Sequence, residues 1–215
     1  MRFFGENLTC VRGERVVFAG LDFALAAGDA VTLSGRNGSG KTSLLRVMAG
    51  LTPAATGRLA WDDGPVAAAP ERHRARLHFV GHLDAVKPVL SVRENLAQWT
   101  RLRGGSDDGV TRGLAAFGLT ALAGIPGRYL SAGQRRRLSL ARLAATPAAL
   151  WLLDEPTIAL DRDSVAALYD AIAQHRAGGG MAVIATNVAL ALDGVSTIDM
   201  EAFAAQDTCE EEAVP

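Results

Sequence analysis

The sequence predicts a mixed α/β domain: a core of short buried strands, preceded by an antiparallel β region and interrupted by a helical insertion. Three observations predict it. Short apolar runs recur at Ala30-Val31-Thr32-Leu33-Ser34, which is also β-branched, Leu77-His78-Phe79-Val80, Leu150-Trp151-Leu152-Leu153 and Ala182-Val183-Ile184-Ala185, and read as buried strands. A glycine-rich segment separates the first run from a helical pattern. Residues 85–145 read mostly as helices, including Val92–Arg103 and Ala132–Ala145.

In chain order, residues 16–35 read as strands around a turn at Ala27-Gly28-Asp29. A helix is expected from about Gly40, with Leu44, Leu45, Met48 and Leu51 on its apolar face and Gly50 and Pro53 ending it. The division places one domain on the chain, with its core at 1–84 and 146–206, the insertion at 85–145 and an acidic tail at 207–215 expected to be disordered.

Composition excludes several classes. At 215 residues and 49% hydrophobic the chain can bury a real core, and a formal net charge of −1 gives no electrostatic case for nucleic acid. Arg135, Arg136 and Arg137 read as a solvated helix face. Two cysteines, Cys10 and Cys209, fit a reducing compartment rather than a disulfide framework. The start lacks the apolar stretch of a secretory signal, and the stretch Leu143–Leu153 is broken by Pro147, so no membrane span is expected.

The chemistry concentrates in three motifs. Gly35-Arg36-Asn37-Gly38-Ser39-Gly40-Lys41-Thr42 has the phosphate-loop pattern between an expected strand and an expected helix. Its glycines let backbone N–H groups turn inward around phosphate, the helix start adds a positive dipole end, Lys41 reaches the β- and γ-phosphates, and the Thr42 hydroxyl suits Mg²⁺. The bland alternative is a glycine-rich turn beside a lysine. Asp154 and Glu155 end an apolar strand; Asp154 suits Mg²⁺, and Glu155 is placed to orient or deprotonate an attacking water. Alone, that pair reads equally as solvated acids at a strand end.

The third motif, Leu130-Ser131-Ala132-Gly133-Gln134, resembles the LSGGQ signature of ABC (ATP-binding cassette) ATPases, with Ala132 for the first glycine. The resemblance implies that Ser131, Ala132, Gly133 and Gln134 face the γ-phosphate of an ATP bound to the opposite subunit of a homodimer. Ser131 is also an ordinary N-cap candidate. Asp161 matches the family's D-loop. A narrower likeness, to the ATP-binding subunits of cytochrome c maturation systems, rests on Leu8-Thr9-Cys10, Gly13-Glu14-Arg15, Phe79-Val80-Gly81-His82, Lys87, Glu94-Asn95-Leu96 and Leu130–Arg137. It implies integral membrane partners, a peripheral position on the cytoplasmic face of the bacterial inner membrane, and haem handled indirectly if at all. The sequence offers no persuasive haem ligand of its own.

Three positions depart from the family pattern. Leu83 stands where the family has a Mg²⁺-sensing glutamine, leaving His82 or Asp84 as substitutes or plain loop residues. Asn187 stands at the switch histidine; its amide can donate to a γ-phosphate but cannot shuttle a proton. No adenine-stacking aromatic is evident, and Arg12, near that place, either stacks over the base or sits solvated. A zinc site on His78 and His82 lacks a third ligand. Two rival functions remain, a nucleotide-gated clamp with little turnover and a soluble ABC ATPase of DNA repair or translation.

Overall fold

A computed structural model describes residues 1–188 and 191–204; the expected acidic tail and Cys209 lie outside the described residues. The chain opens with β1 (Arg2–Arg12) and β2 (Arg15–Ala26), an antiparallel pair turning at Gly13. Then come β3 (Ala30–Ser34), α1 (Lys41–Met48), β4 (Thr56–Trp61), β5 (Gly64–Pro65), α2 (Pro70–Ala75) and β6 (Leu77–Val80). Three helices follow, α3 (Val92–Leu102), α4 (Asp107–Ala116) and α5 (Ala132–Ala145). The chain returns through β7 (Leu150–Asp154), α6 (Arg162–Ala177), β8 (Met181–Ala185) and β9 (Val195–Asp199).

These strands form two sheets. One is antiparallel in the order β2-β1-β4-β5; the other is parallel in the order β6-β7-β8-β3-β9. The turn at Ala27–Asp29 therefore passes the chain from one sheet to the other. β7 and β8 are buried at every position because both faces of the parallel sheet are covered. Their alternation divides two cores. Leu150, Leu152, Met181, Val183 and Ala185 pack with α1 and the antiparallel sheet, while Trp151, Leu153, Ala182 and Ile184 pack with α3 to α6. Leu152, fully buried in the first of these cores, is a position where truncation to Ala costs about 2–5 kcal/mol.

Helix ends are fixed by the residues at them. Ser91 starts α3 and Ser131 starts α5, each in a capping box with the residue three further on, Glu94 and Gln134. His78 is not available to a metal. It is buried in β6 and bonds the Thr146 carbonyl at 3.0 Å, tying the edge strand to the end of α5, and burial pushes its pKa down to about 3. No group of three or more His, Cys, Asp or Glu side chains gathers for a metal among the described residues. No helix there is long and apolar enough to cross a membrane.

Candidate functional site

The site lies where the parallel strands end. The loop after β3 wraps from Gly35 to Gly40 and delivers Lys41 and Thr42 as the first residues of α1. Gly40 occupies the N-cap with φ 100°, and a Cβ there would meet Val17 at 2.9 Å, so the loop's last turn requires glycine. Its neighbour Ser39 has a buried Oγ with no hydrogen-bond partner among the described residues. A cleft of about 310 Å³ runs along this loop, lined by Val17, Asn37, Gly38, Lys41, Thr42 and, from β7, Asp154 and Glu155.

Three side chains from distant parts of the sequence meet there. The Thr42 hydroxyl lies 3.1 and 3.0 Å from the two carboxylate oxygens of Asp154, which is 4% exposed. Paired hard oxygen donors at a buried position fit a small divalent cation such as Mg²⁺, which takes few protein ligands and fills its remaining positions with phosphate and water. Lys41, 8% exposed, donates to the carbonyls of Gly35 and Arg36, the latter at 3.1 Å, and to Asn187 Oδ1 at 2.9 Å. Asn187 in turn donates through Nδ2 to Asn37 Oδ1 at 2.8 Å. One amide thus links the end of β8 to the middle of the phosphate loop and to the first residue of α1.

Glu155 follows with its backbone in the left-handed region, φ 46°, an uncommon conformation for a non-glycine residue. Its N–H is held by the Ala185 carbonyl at 2.8 Å. Ala159, at φ 63°, is a second such residue in the same connection. Strained backbone of this kind persists only where its surroundings fix it. Asp161 caps α6 by accepting from Ser164 N at 2.8 Å, which holds its carboxyl below the usual carboxylate range.

The remaining sequence expectations fare differently. Ser131, Ala132, Gly133 and Gln134 form the first turn of α5; Ser131 and Ala132 are exposed, and none of the four lines the phosphate cleft of its own chain. The N-cap reading of Ser131 is realised, since its Oγ accepts from Gln134 N at 3.2 Å. Arg12 is exposed at the end of β1, opposite Arg15, and does not line the cleft. Leu83 is 82% exposed, and Asp84 turns to Arg136 at 3.3 Å rather than to the phosphate loop.

Arg136 corrects the reading of residues 135–137 as a solvated face. It is 3% exposed, because the middle residue of the arginine run points inward to the carbonyls that follow β6 and end β7. Sequence gave no sign of this: the three arginines are chemically identical, and only helix phase separates them.

A phosphate loop at the end of a parallel strand, an acid pair on a neighbouring strand and a helical insertion opening on a serine-capped helix define a class, and the comparison with known proteins agrees. Residues 18–158 match the ABC transporter family, and the chain belongs to it as an ATP-binding, ATP-hydrolysing subunit of that type. It is 58% identical over 202 residues to the cytochrome c biogenesis ATP-binding export protein CcmA of Rhodospirillum rubrum, covering 94% of this chain and 87% of the relative. The protein of the same name from Paramagnetospirillum magneticum is 54% identical over 94% of this chain and 95% of its own. Among solved structures, the ATP-binding cassette MJ0796, in a dimeric post-hydrolysis state with ADP and Pi, superposes with a TM-score of 0.77 at 22% identity over 86% of this chain and 88% of that one. An ATP-binding subunit of an ABC transporter gives 0.79 at 21% over 87% and 80%.

Proposed function

We propose that this chain is the ATPase subunit of a membrane complex serving c-type cytochrome biogenesis, working as a homodimer at the cytoplasmic face of a bacterial inner membrane. The reading rests on one conjunction: Lys41, Thr42, Asp154 and Glu155 share a cleft in a chain 58% identical to an export ATPase of that pathway. Residues 35–42 cradle the phosphates. Lys41 leaves its carbonyl partners and Asn187 for phosphate oxygens, and Asn187 is freed to donate to the γ-phosphate. Thr42 and Asp154 would hold Mg²⁺, which would supply positive charge against the phosphates when bound. Glu155 orients the attacking water and takes its proton. Ser131 to Gln134 of the second subunit close on the same γ-phosphate, and Asp161 lies along that contact. Arg12, exposed at the end of β1, is the candidate for stacking over the base, with plain solvation as its alternative.

The whole chain acts as one ATP-binding domain, with the core closing on nucleotide and residues 85–145 carrying the motion to the membrane subunits. A groove of about 820 Å³ along α3, lined by Leu90, Arg93, Ala97 and Leu102, with Val89 and Leu102 largely exposed, suits such a partner. In this reading the membrane partners handle haem, and this chain supplies the ATP-driven motion. Replacing the chromosomal copy with Lys41→Ala tests the reading: the mutant chain accumulates and co-purifies with its membrane subunits, but covalent haem in c-type cytochromes is lost. Normal cytochrome assembly in that strain removes it.

A second reading, a nucleotide-gated clamp with little turnover, draws support from Leu83, whose side chain is exposed and cannot ligate a metal. A turnover in the assembled complex that is no faster than that of Glu155→Gln would favour it.

A further inference from the structure

The guanidinium of Arg136 is buried and faces three consecutive carbonyls at the hydrolytic end of β7. Its Nη2 donates to Asp154 O and to Glu155 O, both at 2.8 Å, and its Nε to Pro156 O at 3.3 Å. Its Nη1 donates to Gly81 O at 2.8 Å and to Asp84 Oδ1 at 3.3 Å, both in the loop after β6. One side chain on the helix that begins at Ser131 therefore joins two segments that have no other side-chain tie to each other among the described residues.

Burying a cation against carbonyls and one partly exposed carboxylate is costly in desolvation, and a hydrophobic residue of similar volume would fill the space at lower cost. What the fork supplies instead is geometry. Glu155 sits at φ 46°, a conformation that needs outside support. Its N–H is held by Ala185 of β8, and its C=O is held by Arg136. The two together fix the peptide planes on either side of Glu155, and so the direction in which its carboxylate leaves the backbone.

We propose that Arg136 is the positioning residue for Glu155, and that it couples the Ser131 helix and the 81–84 loop to the water-activating carboxylate. The loop's residue in the family's glutamine place, Leu83, cannot make that connection through a metal, so it runs through Gly81, Asp84 and Arg136. The proposal rests on the assignment of Glu155 as the residue that acts on water. Movement of the loop or the helix would shift the Asp154–Pro156 carbonyls through one shared guanidinium. A lysine could not replace it, because a single ammonium cannot reach carbonyls on both sides of the fork.

The test is Arg136→Lys in the assembled membrane complex, with ATP affinity, steady-state ATPase and melting temperature measured together. A misdirected carboxylate costs about 10- to 100-fold in kcat, with KM and ATP affinity within about threefold, since no phosphate contact is lost. In the Glu155→Gln background the same substitution should lower the residual rate no further, because non-additivity marks residues acting as a unit. Arg136→Gln, which keeps a planar donor of shorter reach, is read the same way should the lysine variant fold poorly. Unchanged kcat per ATP-binding site in either variant, with Glu155→Gln inactive, overturns the proposal alone and leaves Arg136 a purely structural tie. A Glu155→Gln complex that turns over at the wild-type rate overturns the Glu155 assignment, and the proposal with it.

Discussion

Asn187→Ala separates a switch from a structural cap. Its amide accepts from Lys41 at 2.9 Å and donates to Asn37 at 2.8 Å. Lys41 keeps two carbonyl partners when the amide is removed, so the loop is not left without support. Freed from that amide, Lys41 moves to phosphate more easily, and ATP affinity should hold or improve slightly. Closure and hydrolysis should suffer. A hydrogen bond to a charged group contributes about 1.5–3 kcal/mol, and each step of about 1.4 kcal/mol is tenfold in rate, so kcat falls about 10- to 100-fold. Asn187→His restores a donor and retains activity or raises it. The assay pairs steady-state ATPase of the assembled complex with ATP titration calorimetry and melting temperature. Wild-type kcat in folded Asn187→Ala refutes the switch role, and a fall in melting temperature without a change in turnover per folded molecule identifies a cap.

Ser131→Ala removes the cap of α5 as well as the hydroxyl proposed to close on the second subunit's nucleotide; the cap alone is worth about 1 kcal/mol. The melting temperature should fall by about 2–4 °C, whereas ATP-dependent dimerisation should weaken more than that loss of stability explains; equal effects would reduce Ser131 to its capping role. Gly133→Ala places a Cβ 2.7 Å from the Ala159 carbonyl, so ATPase should drop as the start of α5 is pushed from the 155–161 connection, and an unchanged rate would show that the two segments move independently. Acid should destabilise the fold. Burial lowers the pKa of His73, His78 and His175, that of His78 to about 3 from 6.5, so His78 stays neutral in the fold while the unfolded chain takes up a proton below 6.5. The contribution of His78 is complete above that pH and shrinks as pH falls, by up to about 1.4 kcal/mol per unit, and His73 and His175 act in the same direction. Urea midpoints at pH 7.5 and pH 5 measure this, and equal midpoints would contradict it.

The parts of the site that sequence exposed are those with local rules. The phosphate loop needs glycines at a strand–helix junction, and α5 begins at the serine its capping box requires, so both were readable from spacing. β7 and β8 were readable because full burial leaves an unbroken apolar run. Among the strands that were not placed, β4 and β9 are partly exposed and owe their state to neighbours: β4 pairs with β1, and β9 closes the parallel sheet beside β3. Asn187 was placed by family position, but its links to Lys41 and Asn37 span about 150 residues and follow from no local pattern. Arg136 was hidden for the reason given by its neighbours: burial of one arginine in three depends on what α5 packs against.

The central claim is that this cleft hydrolyses ATP through Glu155. The direct measurement is Mg²⁺-dependent ATPase of the purified membrane complex carrying either the wild-type chain or Glu155→Gln, with bound nucleotide quantified in both. The account predicts turnover in the wild type, a rate at least about 100-fold lower in Glu155→Gln, and ATP retained at the mutant's sites in a closed dimer. Equal rates in the two complexes, with ATP bound equally well, would contradict it.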